Sequence, residues 1–268
     1  MKIRLGLPLL GGGLVEGAKA LNTPVLVSAN AARKGGKWRS DYSQLEGLDV
    51  ALDSAGFVAW AHYGGFPWSL GEYMDLVSRH PWAWWAQMDA CCEAEIATDR
   101  AAVEFRIEET ARLWTRCSDA ARAAGLSQPM PVLQGRTPAD YLRSLAMLEK
   151  RIGRFPALIG VGSMCRREVG GYEGLISVVD TLDRALPAHA QLHLFGVKGS
   201  ALSSLSSFGG RVESIDSMAW DVAARRRAHR ESASCSMDLR VEEMGRWLEA
   251  QGAALKRPRA VQIGLGLM

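Results

Sequence analysis

The feature that most constrains the fold of this chain is the alternation of short apolar runs with longer stretches of helical periodicity. Each run ends at Gly, Asp, Ser or Gln, as expected for strands buried on both faces of a parallel sheet. Seven such runs cover residues 24–28, 48–52, 84–88, 131–133, 157–161, 192–195 and 212–215. Helical stretches cover residues 70–78, 93–124, 138–151, 174–185, 217–230 and 238–251. This order of elements predicts an α/β fold with a parallel sheet.

Seven candidate strands are one short of the eight in a (β/α)8 TIM barrel, and this number favours a barrel over an open sheet. Either residues 3–7 or residues 261–265 supply the eighth strand. No internal repeat or low-complexity linker divides the 268 residues. We therefore predict that residues 1–268 form a single barrel domain.

Composition and charge are those of an ordinary globular protein. The chain is 48% hydrophobic and 23% charged, and a net charge of +3 does not by itself indicate a nucleic-acid partner. Five scattered cysteines favour a reducing compartment over a disulfide framework. Pro8 and residues 11–13 interrupt the N-terminal apolar stretch, which argues against a signal peptide. No apolar run approaches the length of about 18 residues that crosses a bilayer. We predict a cytoplasmic protein with no membrane partner.

Polar residues stand at the ends of the predicted strands. Asp53, Asp89 and Asp216 each follow an apolar run, and Gln134 and several glycines end others. Because the carboxyl ends of barrel strands share one face, we expect these side chains to meet in one cleft. Two carboxylates suit a reaction with one nucleophile and one proton carrier. The third carboxylate and the amide suit a flat, hydrogen-bonding heterocycle, and the set contains no metal-ligand pattern.

Five phrases at these strand ends resemble, in order, the motifs of the queuine/archaeosine tRNA-guanine transglycosylase superfamily. They are Asp53-Ser54-Ala55-Gly56-Phe57, Met88-Asp89-Ala90-Cys91, Val132-Leu133-Gln134-Gly135, Phe195-Gly196-Val197 and Ile215-Asp216-Ser217. The resemblance extends from about residue 24 to residue 220. It implies that Asp216 is the nucleophile and Asp53 the general acid/base. It also implies that nine residues bind the base, with Phe57 and Phe195 stacking on it. The nine residues are Asp89, Gln134, Gly135, Gly160, Gly162, Ser163, Phe57, Phe195 and Gly196.

This chain departs from the superfamily pattern after Asp216. The Cys-x-Cys-x-x-Cys…His zinc cluster is absent, since only Cys235 follows and only His229 could join it. We expect no metal, no cofactor and no separate zinc or RNA-binding domain. Ala55 and Arg136 also stand where the superfamily has glycine, and Val58 where it has glutamine. A compact chain of this kind is more similar to the phage and bacterial branch that inserts 7-deazaguanines into DNA.

The resemblance implies a base-exchange glycosyltransferase. It would replace guanine in DNA with a 7-deazaguanine, such as 7-cyano-7-deazaguanine, through a covalent aspartyl-glycosyl intermediate. Three alternatives stay open: exchange in tRNA, hydrolysis by the same aspartates, and a non-catalytic nucleic-acid-binding barrel. Superfamily members act as dimers, which implies a homodimer, although their contacts involve the zinc region absent here.

Basic residues near the predicted site are candidate phosphate contacts. A charge run is also typical of a solvated helix face, so both interpretations stay open. The candidates are Arg225, Arg226, Arg227, Arg166, Arg167, Lys34 and Lys37.

The site residues have purely structural interpretations as well. An aspartate after a strand can cap the following helix, and Asp89 can do so near Glu93. Gln134 can satisfy buried backbone groups, and Phe195 can belong to the core. The positions of these side chains in the fold distinguish the two interpretations.

Overall fold

A computed structural model, which describes residues 1–256, forms a barrel of eight parallel strands. The strands are β1 (Lys2–Leu7), β2 (Val25–Ser28), β3 (Val50–Asp53), β4 (Trp84–Trp85), β5 (Val132–Leu133), β6 (Leu158–Val161), β7 (Gln191–Leu194) and β8 (Val212–Ser217). Their order in the sheet is β4-β3-β2-β1-β8-β7-β6-β5. A parallel bridge between Ala86 and Met130 joins the two ends of this order. The α/β barrel predicted from the sequence is therefore confirmed.

The N-terminal segment supplies the strand that the apolar runs left undecided. β1 pairs with β8 on one side and with β2 on the other, both in parallel. Residues 3–7 are thus the eighth strand, and the other candidate, residues 261–265, lies outside the described residues.

Nine α-helices in residues 1–256 accompany the strands. They are α1 (Gly13–Ala20), α2 (Gly56–Tyr63), α3 (Leu70–Ser78), α4 (Arg100–Ala123), α5 (Pro138–Ile152), α6 (Leu175–Ala185), α7 (Leu202–Leu205), α8 (Ala219–Arg230) and α9 (Met237–Lys256). Side chains of Ser69, Asp99 and Thr137 cap α3, α4 and α5. None of the described helices combines the length and the apolar character needed to cross a membrane.

The helical periodicity missed α1, α2 and α7. These helices are only eight, eight and four residues long. The N-cap residues of α1 and α2 are Gly12 and Ala55, and neither helix has a side-chain capping bond. Without a capping residue or a long apolar stripe, the sequence carries no signal for them.

Successive residues of a strand point to opposite faces, so the side chains of each strand contribute alternately to two layers of the core. In β7, Leu192 and Leu194 pack with residues of the surrounding helices. His193 and Phe195 instead contact each other and Trp84, and Phe195 packs in a cluster with Val132 of β5. The second set points into the barrel, and its members at the carboxyl ends of the strands reach the cleft.

Candidate active site

A cavity of about 160 Å³, called the pocket below, lies at the carboxyl ends of the barrel strands. Nine of the eleven catalytic and base-binding residues predicted from the sequence line it: Asp53, Phe57, Asp89, Gln134, Gly162, Ser163, Phe195, Gly196 and Asp216. Gly135 and Gly160 do not line it. The sequence missed five lining residues, which are Leu26, Gly56, Cys91, Glu93 and Cys165.

A chain of hydrogen bonds between side chains forms one wall of the pocket. Asp89 Oδ1 accepts a hydrogen bond from Ser54 Oγ at 2.6 Å, and its Oδ2 accepts one from Gln134 Nε2. Ser163 Oγ donates to Gln134 Oε1 at 2.6 Å and accepts from the backbone N–H of Cys92 at 2.7 Å. Burial raises the pKa of Asp89, and the bonds from Ser54 and Gln134 oppose the rise. The wall is therefore fixed before any ligand binds.

The side chain of Gln134 hydrogen-bonds to other side chains, unlike a glutamine whose hydrogen bonds all go to backbone groups. Gln87, which follows β4, binds the carbonyls of Met88 and Thr110 and accepts the N–H of Val132. The side chain of Gln134 binds two side chains of the pocket wall instead. The interpretation that Gln134 only satisfies buried backbone groups therefore does not hold, and its contact with a base stays a prediction.

Helix capping does not explain the three aspartates either. α2 and α8 have Ala55 and Met218 at their N-caps, with no side-chain capping bond. α4 is capped by Asp99, and the short 3-10 turn before it has no side-chain cap. None of the three aspartates is therefore the capping residue of a described helix.

Asp53 ends β3 and is partly buried. Its Oδ2 accepts the backbone N–H of Ala55 at 3.1 Å. Burial, together with the charges of Asp89 and Asp216, raises the pKa of Asp53 from 3.8 to about 8. At neutral pH this carboxyl is therefore mostly protonated, and it can donate a proton in one step and accept one in another.

Asp216 lies near the end of β8, and its Oδ1 faces two donors. The backbone N–H of Gly196 donates to Oδ1 at 2.9 Å, and His193 Nε2 lies 3.4 Å from the same atom. His193 Nδ1 is 2.8 Å from Ser214 Oγ, and burial lowers the pKa of this imidazole. A neutral ring that accepts from Ser214 at Nδ1 carries its hydrogen on Nε2. Asp216 Oδ2 accepts no hydrogen bond from residues 1–256.

Two aromatic rings line the pocket. The Phe195 ring packs edge-on against His193, with ring centroids 4.6 Å apart, and it lies against Gly160 of β6. The Phe57 ring lies under the guanidinium of Arg166, 5.2 Å from its centroid. Both rings are therefore positioned to contact a bound heterocycle. Gly160 lies behind the Phe195 ring and does not reach the pocket itself.

Two glycines are required by the geometry of the pocket. Gly196 has φ 70°, a left-handed conformation that aims its N–H at Asp216. A Cβ on Gly162 would collide with the side-chain amide of Gln134. Gly135 instead packs against Asp140 at the start of α5, behind the wall.

Backbone strain is concentrated in the segments that build the site. Five non-glycine residues of the described chain have a left-handed φ, and three of them are Ala55 (64°), Ser163 (55°) and Arg166 (60°). Such conformations cost about 1–3 kcal/mol each. Ala55 is one of the positions where the superfamily has glycine.

Cys91, Cys165 and Glu93 add chemistry to the pocket that sequence reasoning did not assign. Burial raises the pKa of Cys91 to about 12 and also raises that of Cys165, so neither thiol is an activated nucleophile. Burial likewise raises the pKa of Glu93, whose Oε2 lies 3.9 Å from Arg166 Nη2. No group in residues 1–256 donates a hydrogen bond to the Glu93 carboxyl. Within the same residues, no group of three or more His, Cys, Asp and Glu side chains could hold a metal ion.

A larger cavity of about 700 Å³, called the groove below, adjoins the pocket. Asp216, Gly196 and Cys165 line both cavities, so the proposed nucleophile stands at their junction. Four cationic side chains line the groove: Arg166, Lys198, Arg226 and Arg230. Because the pocket is smaller than the 300–1,000 Å³ typical of drug-sized ligands, it suits a base, and the groove suits the rest of a nucleotide polymer.

The structure separates the three consecutive arginines of α8. Arg225 pairs with the buried Asp221. Arg227 pairs with three glutamates, which are Glu231, Glu242 and Glu243. Arg226 lines the groove and forms no ion pair with the described residues. Of the three, Arg226 is therefore the best placed to contact a phosphate in the groove, whereas Arg225 and Arg227 are engaged by carboxylates and do not line the groove. A phosphate contact of any of the three stays a prediction.

Three other predicted phosphate contacts lie away from the groove. Arg167 is buried, and it donates to backbone carbonyls of Gly135, Arg136, Ser163 and Glu173. Arg167 therefore connects these backbone segments by hydrogen bonds, and no edge of its guanidinium remains for a phosphate. Lys34 and Lys37 lie on a short hairpin after β2, beside a separate cavity of about 330 Å³.

Comparison with known proteins agrees with this geometry. A family model described as DpdA, DeoxyPurine in DNA protein A, matches residues 19–262. No curated protein matches the chain. The match covers seven of the eight barrel strands, from β2 onward, and includes both proposed catalytic aspartates. The chain belongs to the DpdA family, a DNA-guanine transglycosylase family within the queuine tRNA-guanine transglycosylase superfamily.

Proposed function

We propose that this protein replaces guanine in DNA with a 7-deazaguanine, through a covalent intermediate on Asp216. The observation that carries the proposal is the division of labour between two aspartates of one small pocket. Asp53 is mostly protonated at neutral pH. Asp216 Oδ1 accepts the backbone N–H of Gly196 and lies 3.4 Å from His193 Nε2, whereas its Oδ2 accepts no hydrogen bond from residues 1–256. Membership of the DpdA family supports DNA as the polymer.

The first half of the reaction releases guanine. Asp216 Oδ2 attacks C1′ of the deoxyribose, and the bond between C1′ and N9 breaks as the bond between C1′ and the aspartate forms. The protonated Asp53 donates its proton to the leaving guanine, which departs as a neutral base. The products of this half are a glycosyl ester on Asp216 and an ionised Asp53.

The second half inserts the new base. The ionised Asp53 takes the N9 proton of the incoming 7-deazaguanine, and N9 attacks C1′. The ester bond to Asp216 breaks, and both carboxyls return to their starting states. A single group with a pKa of about 8 serves both directions, since its proton is lost and regained at little cost near neutral pH.

The pocket wall supports recognition of a guanine-like ring. The Asp89 carboxylate and the Gln134 amide can exchange their mutual bond for bonds to ring donors and acceptors. Glu93 offers a further carboxyl, which accepts no hydrogen bond from residues 1–256 and lies 3.9 Å from Arg166. Phe57 and Phe195 provide aromatic surfaces for the ring faces. The same contacts serve the leaving and the entering base, which exchange places in one pocket.

Nucleoside analysis of the polymer tests the proposal. The protein is incubated with labelled 7-cyano-7-deazaguanine and with duplex DNA, single-stranded DNA or tRNA, and digested nucleosides are measured by mass spectrometry. We expect label in DNA and one guanine released per base inserted. Label confined to tRNA would establish the tRNA alternative, and guanine release without label would establish a hydrolase. Neither label nor guanine release from any polymer would overturn the proposal.

A further inference from the structure

A row of side chains on α8 leads away from Asp216 along the groove. Val222, Arg226 and Arg230 are four residues apart, so they share one face of the helix, and Met218 precedes them at its N-cap. All four residues line the groove. The row is therefore apolar beside Asp216 and cationic farther away.

The apolar part of this row is exposed. Met218 is 41% exposed and Val222 is 46% exposed, although both lie next to the proposed nucleophile. The Met218 side chain rests against Gly6 of β1, where a Cβ would collide with it. Met218 is thus supported from below while its apolar surface faces the groove. Neither Arg226 nor Arg230 forms an ion pair with residues 1–256. Exposed apolar surface between the proposed nucleophile and these two cations indicates contact with a ligand that has both apolar and anionic parts.

Nucleic acid has this combination, because bases are apolar on their faces and phosphates are anionic. The pocket holds about 160 Å³, which is room for a base but not for a stacked pair of nucleotides. A guanine in duplex DNA must therefore leave its stack to reach Asp216. Proteins that unstack DNA commonly insert Met, Leu, Ile, Phe or Pro at the disrupted step.

We propose that Met218 is a wedge that enters the base stack of duplex DNA and occupies the space left by the flipped guanine. Val222 supports the wedge from the next turn of α8, and Arg226 and Arg230 hold phosphates of the same strand. This inference rests on the proposed function, because a base in the pocket is what creates the space. It predicts that Met218 matters when the target guanine is stacked and paired, and that it matters little otherwise.

The experiment compares Met218→Ala with the unaltered protein on three forms of one oligonucleotide. The forms are a single strand, a perfect duplex and a duplex with an abasic site opposite the target guanine. We expect exchange in the perfect duplex to fall about 10–100-fold, because the cost of unstacking is no longer offset. Exchange in the single strand should stay within about twofold, and the abasic duplex should lie between them.

Two further variants and one binding measurement exclude a merely structural effect. Met218→Leu keeps an apolar wedge and should restore exchange in the duplex. Leu142→Ala removes an equally exposed apolar side chain (41%) from α5, outside the groove, and should change nothing. A 2-aminopurine beside the target should brighten when the unaltered protein binds duplex DNA, and it should brighten less with Met218→Ala.

The outcomes distinguish a failure of the proposed wedge from a failure of the proposed base exchange. Equal losses on the single strand and the perfect duplex, or no loss on either, would overturn the wedge and leave base exchange intact. Exchange by the unaltered protein in single strands only would also overturn it. If the unaltered protein exchanged bases in no form of the oligonucleotide, the proposed function and the wedge would fail together.

Discussion

The pocket and the groove meet at Asp216, yet they are built in opposite ways. Polar groups of the pocket wall are already bonded to one another, from Ser54 through Asp89 and Gln134 to Ser163. The cations Arg226 and Arg230 of the groove form no ion pair with the described residues. A pre-bonded wall has a fixed shape and can discriminate between bases, whereas free cations attract any phosphate chain. We therefore propose that base identity is determined in the pocket and polymer affinity in the groove.

The pocket also contains features that are costly for folding. Asp53, Asp89 and Asp216 line one small cavity, and burial together with the other two charges raises the pKa of Asp53 to about 8. Left-handed residues in the same segments add strain. The charges of the groove, in contrast, lie at the surface near solvent. Changes in the pocket should therefore alter both chemistry and stability, and changes in the groove mainly binding.

The largest effect is expected for Asp53→Asn, which removes the proton carrier and leaves the groove untouched. Single-turnover guanine release should fall about 10²–10⁴-fold, with DNA affinity within about twofold because no groove residue changes. In the unaltered protein, release should decline as pH rises through about 8, because Asp53 then loses the proton it donates. Rapid-quench kinetics between pH 6 and 10 measure both effects. Release that stays flat across pH 8 would contradict the proton role of Asp53.

The same variant changes stability with a definite sign. The folded pKa of Asp53 is raised from 3.8 to about 8, so the folded state binds more protons than the unfolded state between these values. The stability of the unaltered protein should therefore fall as pH rises from about 4 to about 8. Asparagine removes this loss, so the melting temperature of Asp53→Asn should exceed that of the unaltered protein more at pH 8 than at pH 5.

Gln134→Ala should give the next largest effect and should remain confined to the pocket. It removes one of the hydrogen-bond partners of Asp89 and one of those of Ser163, together with one proposed contact to the base. We expect KM for the free deazaguanine to rise about 10–100-fold, because hydrogen bonds to charged groups contribute about 1.5–3 kcal/mol. The salt dependence of DNA binding should not change, since no charge of the groove is altered. A changed salt slope would show that the two regions are not separable.

Arg226→Gln together with Arg230→Gln should affect the groove alone. DNA affinity at about 0.15 M salt should fall about tenfold, and the slope of log Kd against log salt should decrease by about 1.8 on duplex DNA. Fluorescence anisotropy over a salt series measures the slope. Arg225→Gln is the matched control on the same helix, since Arg225 is paired with Asp221. An equal change of slope in the control would show that position on the helix does not decide which arginine contacts phosphate.

Ala55→Gly should give the smallest effect. Ala55 has φ 64°, a conformation that glycine adopts without strain. We expect the free energy of unfolding to rise by about 1 kcal/mol. Denaturant titration measures the change. A loss of stability would show that the turn after β3 is not strained.

The sequence predicted the pocket far better than the groove, and the reason is geometric. Alternation along a strand fixes which residues face the interior, so Asp53, Gln134, Gly162, Phe195 and Asp216 could be assigned from strand ends alone. The superfamily resemblance assigned roles to them. The identity of the barrel strands also followed from apolar runs, apart from β1.

What the sequence could not predict depends on partners from distant segments. Arg225 and Arg226 are neighbours in the chain, but only the fold shows that Asp221 binds one and the groove receives the other. Arg167 looked like a surface cation, whereas carbonyls from four residues enclose it. His193 had one usable signal, since a histidine between two buried leucines of a strand must point into the barrel.

Direct detection of the glycosyl ester is the most decisive measurement. The protein is mixed with DNA in the absence of any free deazaguanine, quenched in acid and analysed by intact and peptide mass spectrometry. The account predicts an adduct equal to protein plus DNA minus guanine, located on Asp216 and absent in Asp216→Asn, which should also lose all exchange. An adduct on another residue, or continued exchange by Asp216→Asn without an adduct, would contradict it.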